Sequence, residues 1–205
     1  MIGKRTLKYV TVTLIVSGLT MFSHSGYFYV RGMLGQMLLS QAWEKSKITR
    51  QFFRAWRGAG TYPVGKLRIE SIDLSRVVLE AANKESLTYG PAHISASALP
   101  GEHGNIAIAG HRDSFFRNLK ELKRGEVIEL ESMSSVQYFL VTDIQITDAG
   151  SAHWIENTAD DVITLITCYP FDYIGKAPMR YIIRGKLVRE ETANEVFSKL
   201  LISRG

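Results

Sequence analysis

Cys168 is the only cysteine in a chain of 205 residues. It follows the β-branched, apolar run Val162-Ile163-Thr164-Leu165-Ile166-Thr167, and Tyr169-Pro170-Phe171 then opens a loop that ends at Arg180. Arg180 begins another apolar run, Tyr181-Ile182-Ile183. This pattern predicts strand, loop, strand, with thiol and guanidinium at the same end of two neighbouring strands. A nearby positive charge stabilises a thiolate over a thiol, and the thiolate is the nucleophile. A lone cysteine is more often a small buried hydrophobe, so the chemical reading needs a base as well.

Five histidines are available: His24, His93, His103, His111 and His153. His111 differs from the others because the short apolar run Asn105-Ile106-Ala107-Ile108-Ala109-Gly110 delivers it at a strand end. Thiol nucleophiles are commonly paired with a histidine distant in sequence and adjacent in space. Arg180 cannot serve as the base, because a guanidinium stays protonated in proteins. Its chemistry would be to hold a thiolate, a substrate backbone or a developing oxyanion. A metal centre finds little support, since there is no cysteine pair, no His-x-x-x-His and no calcium-loop pattern. Asp143, Asp148, Asp160 and Asp161 lie in or near the segment 147–160 and read as solvated loop residues, with a weak calcium role as the alternative.

The elements that must position these groups begin near residue 63. Lys66–Ile69 and Ser75–Glu80 alternate as strands, and 83–93 suggests a short helix with a Gly-Pro exit. Residues 114–123 suggest a helical turn, 126–130 and 136–146 a hairpin, 147–160 a longer loop, and 190–201 a short C-terminal helix. About eight short strands with one or two short helices predict an all-β sandwich or closed barrel. No internal repeat is visible.

The net charge of +5 is unevenly distributed. Residues 1–60 carry nine Lys/Arg and one acid, Glu44, so the remainder is mildly acidic. That excludes a nucleic-acid-binding domain and points to a stem near an anionic membrane surface. Tyr9 to Val30 contains no formal charge, Lys4, Arg5 and Lys8 precede it, and only Arg31 follows closely. As a helix these residues would span ~33 Å, enough for a bilayer core. Tyr27, Phe28 and Tyr29 suit an interfacial aromatic belt. The segment 1–31 is therefore expected to be a transmembrane signal anchor with a cytoplasmic N-terminus and an extracytoplasmic domain. A cleaved signal peptide is the rival reading. Residues 32–62 read as a helical stem or linker, with 32–57 helical through Ile48, Phe52 and Trp56 and a stop at Gly58-Ala59-Gly60. The stem is a stalk, a basic helix on the membrane surface, or a helix packed on the domain.

Thr164-Leu165-Ile166-Thr167-Cys168-Tyr169-Pro170-Phe171, with Ala177-Pro178-Met179-Arg180-Tyr181-Ile182, resembles the T-L-x-T-C and R-[FY]-[IV] signature of sortases. Ala98-Leu99-Pro100-Gly101 and Gly104 through Phe116 are similar to that family's A-G-H-R-x-x-x-F block. The likeness covers about residues 63–188 and is strongest to class D and related Gram-negative-type sortases. Glu70 stands where Ile-Pro is common in the first strand. The lack of a preceding lid motif and of a following membrane helix weighs against a class C pilin polymerase. The resemblance implies an eight-stranded sortase-like β-barrel over 63–205, preceded by the anchor and stem. It also implies a Cys-His-Arg site: Cys168 as nucleophile, His111 as general acid/base and Arg180 as oxyanion or substrate-positioning group. Ala109 and Thr167 would line the substrate groove, and the loop 147–160 would form much of the pocket. No cofactor is implied. The expected activity is cysteine transpeptidation. The chain would cleave an LPxTG-like sorting signal of a secreted protein at the Thr-X bond and transfer it to an amine acceptor of the cell envelope. A thiol endopeptidase that hydrolyses its thioester, and a non-catalytic peptide-binding barrel, are the competing readings.

Overall fold

The computed structural model describes residues 3–204; the side chains of residues 4, 6, 7, 24, 25, 27–31, 33, 201, 203 and 204 fall outside that description. The expected aromatic belt at Tyr27, Phe28 and Tyr29 therefore lies outside the described side chains. The chain forms two compact units, residues 1–35 and 36–205.

From Lys4 on, the first unit is part of helix α1, Lys4–Thr49. Among the described residues, the apolar side chains of Val12, Leu14, Ile15, Val16, Leu19, Met21 and Phe22 are exposed. Among the described residues, no helix is long and apolar enough to cross a membrane.

The second unit is a closed barrel of eight strands: β1 (Pro63–Ile69), β2 (Leu74–Leu79), β3 (Ala92–His93), β4 (Asn105–Ala109), β5 (Val127–Glu131), β6 (Val136–Asp148), β7 (Val162–Tyr169) and β8 (Met179–Val188). Their order around the barrel is β1-β2-β3-β4-β7-β8-β6-β5. The β4–β7 pair is parallel, and β8 runs antiparallel to both β7 and β6. Leu67 and Ile69 of β1 point inward and join Ile106, Ile108, Ile128, Leu130, Phe139, Ile163, Leu165 and Ile183 in one core. Period-two alternation sends the residues between them to the outer face.

Helix α2 (Lys84–Tyr89) begins at Asn83, whose side-chain oxygen accepts from Ser86 N. Helix α3 (Glu190–Arg204) ends the described chain and follows β8 directly. A 3-10 turn over Arg117–Glu121 buries Leu119, where the sequence predicts a helical turn over 114–123.

The helical reading of 32–57 is too long. Helix α1 stops at Thr49, and Arg50 adopts a positive φ of 56°, the left-handed geometry that ends helices. Beyond it the chain turns back: the Ser46 hydroxyl accepts from Phe53 N, and Phe52 packs against Tyr62. The part of α1 within the second unit packs on the barrel. Leu39 and Trp43 are fully buried against Val77, Leu79, Tyr89 and Ala92. The indole of Trp43 donates to Glu131 at 3.1 Å, and Lys47 reaches the other oxygen of the same carboxylate at 2.7 Å.

Burial alone would raise the pKa of Glu131, but the hydrogen bonds from Lys47 and Trp43 outweigh it and hold that pKa below its ordinary 4.5. A carboxylate with a depressed folded pKa contributes stability above its unfolded value and loses that contribution as pH falls through the folded one. Urea-unfolding midpoints measured between neutral pH and about pH 3 should therefore fall less steeply for Glu131→Gln than for the unsubstituted chain.

Candidate active site

Strand β4 leads directly into His111, β7 carries Cys168 and β8 carries Arg180, and these three strands are consecutive in the barrel. Within the β7–β8 ladder Cys168 is the direct Cα partner of Arg180. Ile163, Leu165 and Ile183 belong to the core, so the alternate residues Ile166 and Cys168 on β7, and Arg180 and Ile182 on β8, share the outer face. Ala109, partly buried, is the register partner of Ile166 and joins that face.

The position of His111 is set by the residue before it. Gly110 N donates to Ile166 O at 3.1 Å, and the buried Thr167 hydroxyl, 2% exposed as a residue, donates to Gly110 O at 2.7 Å. Thr167 thus clamps the end of β4 to the end of β7. Gly110 also has no room for a side chain: a Cβ there would lie 2.6 Å from the buried ring of Phe116. Phe116 N in turn donates to His111 O at 2.9 Å, closing the turn that follows the histidine.

Cys168 and Arg180 are partly buried and His111 is exposed. Among the described residues, neither the Cys168 thiol nor the His111 ring makes a hydrogen bond. Nη1 of Arg180 donates to the carbonyls of Ala177 and Met179, at 3.3 and 3.0 Å, so the guanidinium is braced by its own loop and its remaining donors are uncommitted. Catalytic hydrogen bonds are often absent without substrate and tighten when it binds.

Two walls flank these groups. The first is the loop 170–178, beneath which Tyr169, Phe171 and Tyr181 pack together at ring-centre separations of 5.1–6.2 Å. Arg112, next to His111, donates to the carbonyls of Tyr173 and Gly175 in that loop. The second wall is the segment 149–161, which contains a 3-10 turn at His153–Ile155. Asn105 anchors it: its amide donates to Trp154 O at 2.8 Å and Glu156 O at 2.9 Å, while its oxygen accepts from Thr164 at 2.7 Å. Asp161 closes the end of the segment by accepting from Gly104 N at 2.8 Å and pairing with His103 at 3.0 Å. The first of these bonds is the main reason its carboxyl sits below the usual range, with His103 reinforcing it.

Two other acidic residues near this segment are already paired. Asp143 pairs with Arg124 at 2.5 Å and Asp160 with Lys186 at 3.1 Å. Sequence reasoning overlooked Asn105 and Arg112. Arg112 stands inside the A-G-H-R block, and Asn105 is a polar residue opening an otherwise apolar strand, so both had a signal.

A barrel of this topology, with a thiol and a guanidinium paired across adjacent strands and a histidine at the end of a third, defines the sortase fold class. The sortase domain family matches residues 67–188, more than half of the chain, and the chain belongs to that family. It is 38% identical over 126 residues to sortase D of Bacillus subtilis, covering 60% of this chain and 63% of that protein. It is 29% identical over 143 residues to sortase A of Listeria monocytogenes, covering 66% of this chain and 63% of that one. The chain thus spans somewhat under two thirds of these relatives. Among solved structures, Listeria monocytogenes sortase A matches with a TM-score of 0.55 at 27% identity, covering 66% of this chain and 97% of that one. A Clostridium perfringens sortase D5 transpeptidase matches with a TM-score of 0.59 at 24% identity, over 71% and 88% of the two chains. At that identity the second likeness speaks for the fold.

The Thr167 clamp is testable. Thr167→Val leaves the buried Gly110 carbonyl without its partner and should cost about 1–3 kcal/mol in urea unfolding, whereas Thr167→Ser should retain most of that. Equal stability of the two variants would rule the clamp out.

Proposed function

We propose that this chain is a membrane-anchored cysteine transpeptidase acting on an LPxTG-like sorting signal. The observation that carries the reading is the pairing of Cys168 with Arg180 across β7 and β8, beside the strand end that presents His111. Membership of the sortase family supports it.

In this mechanism the Cys168 thiolate attacks the carbonyl carbon of the threonine in the signal. A C–S bond forms and the carbonyl oxygen becomes an oxyanion facing the uncommitted donors of Arg180. The tetrahedral intermediate collapses with cleavage of the C–N bond. His111, as imidazolium, gives its proton to the departing amine, leaving a thioester on Cys168. An amine of the cell envelope then attacks the thioester. His111 takes the proton from that amine, the new amide forms and the thiolate is released. The exposure of His111 suits a group that must exchange protons with two different amines. Ala109 and Ile166 offer an apolar floor beside the thiol, and Thr167 contributes by holding β4 against β7.

The expected outcome is cleavage of LPxTG- or LPxTA-type peptides by the 205-residue chain, with amine adducts identified by mass. Cys168→Ala should abolish both products, and His111→Ala or Arg180→Ala should each reduce kcat/KM by at least ~100-fold. Cleavage that persists in Cys168→Ala would sink the mechanism, and cleavage without adducts would favour a hydrolytic thiol endopeptidase.

Membrane anchoring through residues 1–31 is part of the same proposal. It rests on the uncharged run from Tyr9, the exposed apolar side chains of α1 and the cations before them. The positive-inside bias puts the N-terminus in the cytoplasm. Protease added to spheroplasts should then digest the barrel; full protection would reverse the orientation, and recovery of the chain in the wash after carbonate extraction would refute the anchor.

A further inference from the structure

The tip of the 170–178 loop has little support of its own. Residues 172–176 are all exposed, and Ile174 among them is 97% exposed. Among the described residues, the tip makes one hydrogen bond inside its own loop, from Tyr173 N to Pro170 O at 3.4 Å. The remaining support comes from a single atom. Nη2 of Arg112 donates to Tyr173 O and to Gly175 O, so the carbonyls on either side of Ile174 are drawn in while that side chain stands in water. Gly175 has a φ of 99°, a left-handed geometry that glycine adopts without strain.

This brace comes at a cost in stability. The Nε of Arg112 is buried and has no hydrogen-bond partner. A buried donor left unpaired is destabilising. An arm that is unsatisfied at its base and holds an exposed loop at its end is explained by what the loop does, not by the packing it provides. The ends of the loop do not depend on the brace. Cys168 and Arg180 are paired in the β7–β8 ladder, Ala177 is buried, and the rings of Tyr169, Phe171 and Tyr181 pack beneath. Loss of the brace would therefore free the tip and leave the thiol and the guanidinium in register.

Arg112 follows His111 directly, so the tip is held within one arginine's length of the residue after the histidine. In the proposed reaction the leaving amine departs, and the acceptor amine arrives, beside His111. Once the thioester stands on Cys168, two nucleophiles compete for it. In transfer, the amine nitrogen forms the C–N bond as the C–S bond breaks, and its proton passes to His111. In hydrolysis a water oxygen forms a C–O bond instead, a water proton passes to His111, and the product is a free carboxylic acid. A loop held over a reacting centre keeps water from it. Resting on the transpeptidase reading above, we propose that Arg112 is a positioning residue of the second step. It pins the loop tip beside His111 and so favours the amine over water.

The test gives the full 205-residue chain an LPxTG-type peptide with glycinamide as the acceptor. Amide and free acid are scored by mass, and thioester formation by the mass of the quenched chain. Arg112→Ala should lower the ratio of amide to acid about tenfold, the scale of losing hydrogen bonds from a charged donor. The ratio should fall by more than thioester formation slows. Arg112→Lys, a cationic donor on a shorter arm, should keep part of the ratio. Gly175→Ala, which strains the other end of the brace, should shift the ratio the same way. Trypsin reads the brace without any reaction: cleavage after the exposed Lys176 should quicken in Arg112→Ala. A ratio that holds while both products fall together would make Arg112 a folding residue only and overturn the proposal. Faster cleavage at Lys176 with an unchanged ratio would overturn it too. A thioester that forms and partitions alike in every variant refutes this proposal alone, whereas a chain that forms no thioester and no product refutes the transpeptidase reading and this proposal with it.

Discussion

Parallel strands cannot be joined by a hairpin, so the pairing of β4 with β7 is made by two stretches of chain separated by β5, β6 and the segment 149–161. That one ladder brings the residues before His111 and Cys168 side by side. Its last rung is reinforced twice, by the amide of Gly110 on Ile166 and by the Thr167 hydroxyl on Gly110. If the ladder slipped by one residue, the side chains of β7 would exchange faces and Cys168 would turn toward the core. Ile163 and Leu165 resist this, because each is fully buried and would be driven into solvent. The apolar core and the candidate site are therefore opposite faces of the same register.

The same logic extends to the walls. Asn105 lies on the outer face of β4, and it ties the segment 149–161 to the strand and to Thr164 of β7 through three side-chain hydrogen bonds. Arg112 ties the opposite wall to the turn after His111. Each wall is thus fastened to the ladder by side chains while most of its own backbone remains at the surface. The walls can differ in sequence from the barrel without moving the thiol, the imidazole or the guanidinium.

Much of this was legible in the chain. The run before Cys168, the run before His111 and the opening of β8 at Arg180 are short, apolar and β-branched, and such segments announce strands whichever fold contains them. The motifs around them pointed to the family and, with it, to an eight-stranded barrel. What stayed hidden depends on contacts without periodicity. Nothing in the helical pattern through Trp56 foretells that Arg50 takes a left-handed conformation, so the predicted helix overruns its end at Thr49. The hold of Trp43 and Lys47 on Glu131 joins residues 88 and 84 positions apart, and no local pattern announces it. Thr167 was readable as a neighbour of the thiol, but its buried hydroxyl on Gly110 O is a property of the folded ladder.

Closure of the barrel has one more consequence. Strands β4, β7 and β8 each have a hydrogen-bonded neighbour on both sides, so the sheet around Cys168 offers no free edge. A peptide arriving there cannot extend the sheet as an added strand and cannot be recognised through a ladder of main-chain hydrogen bonds. It must lie across the sheet rather than within it, and discrimination falls to side chains and to the loops that rise above them. An extended peptide of any sequence can join an open edge; a closed one admits only a peptide whose side chains fit.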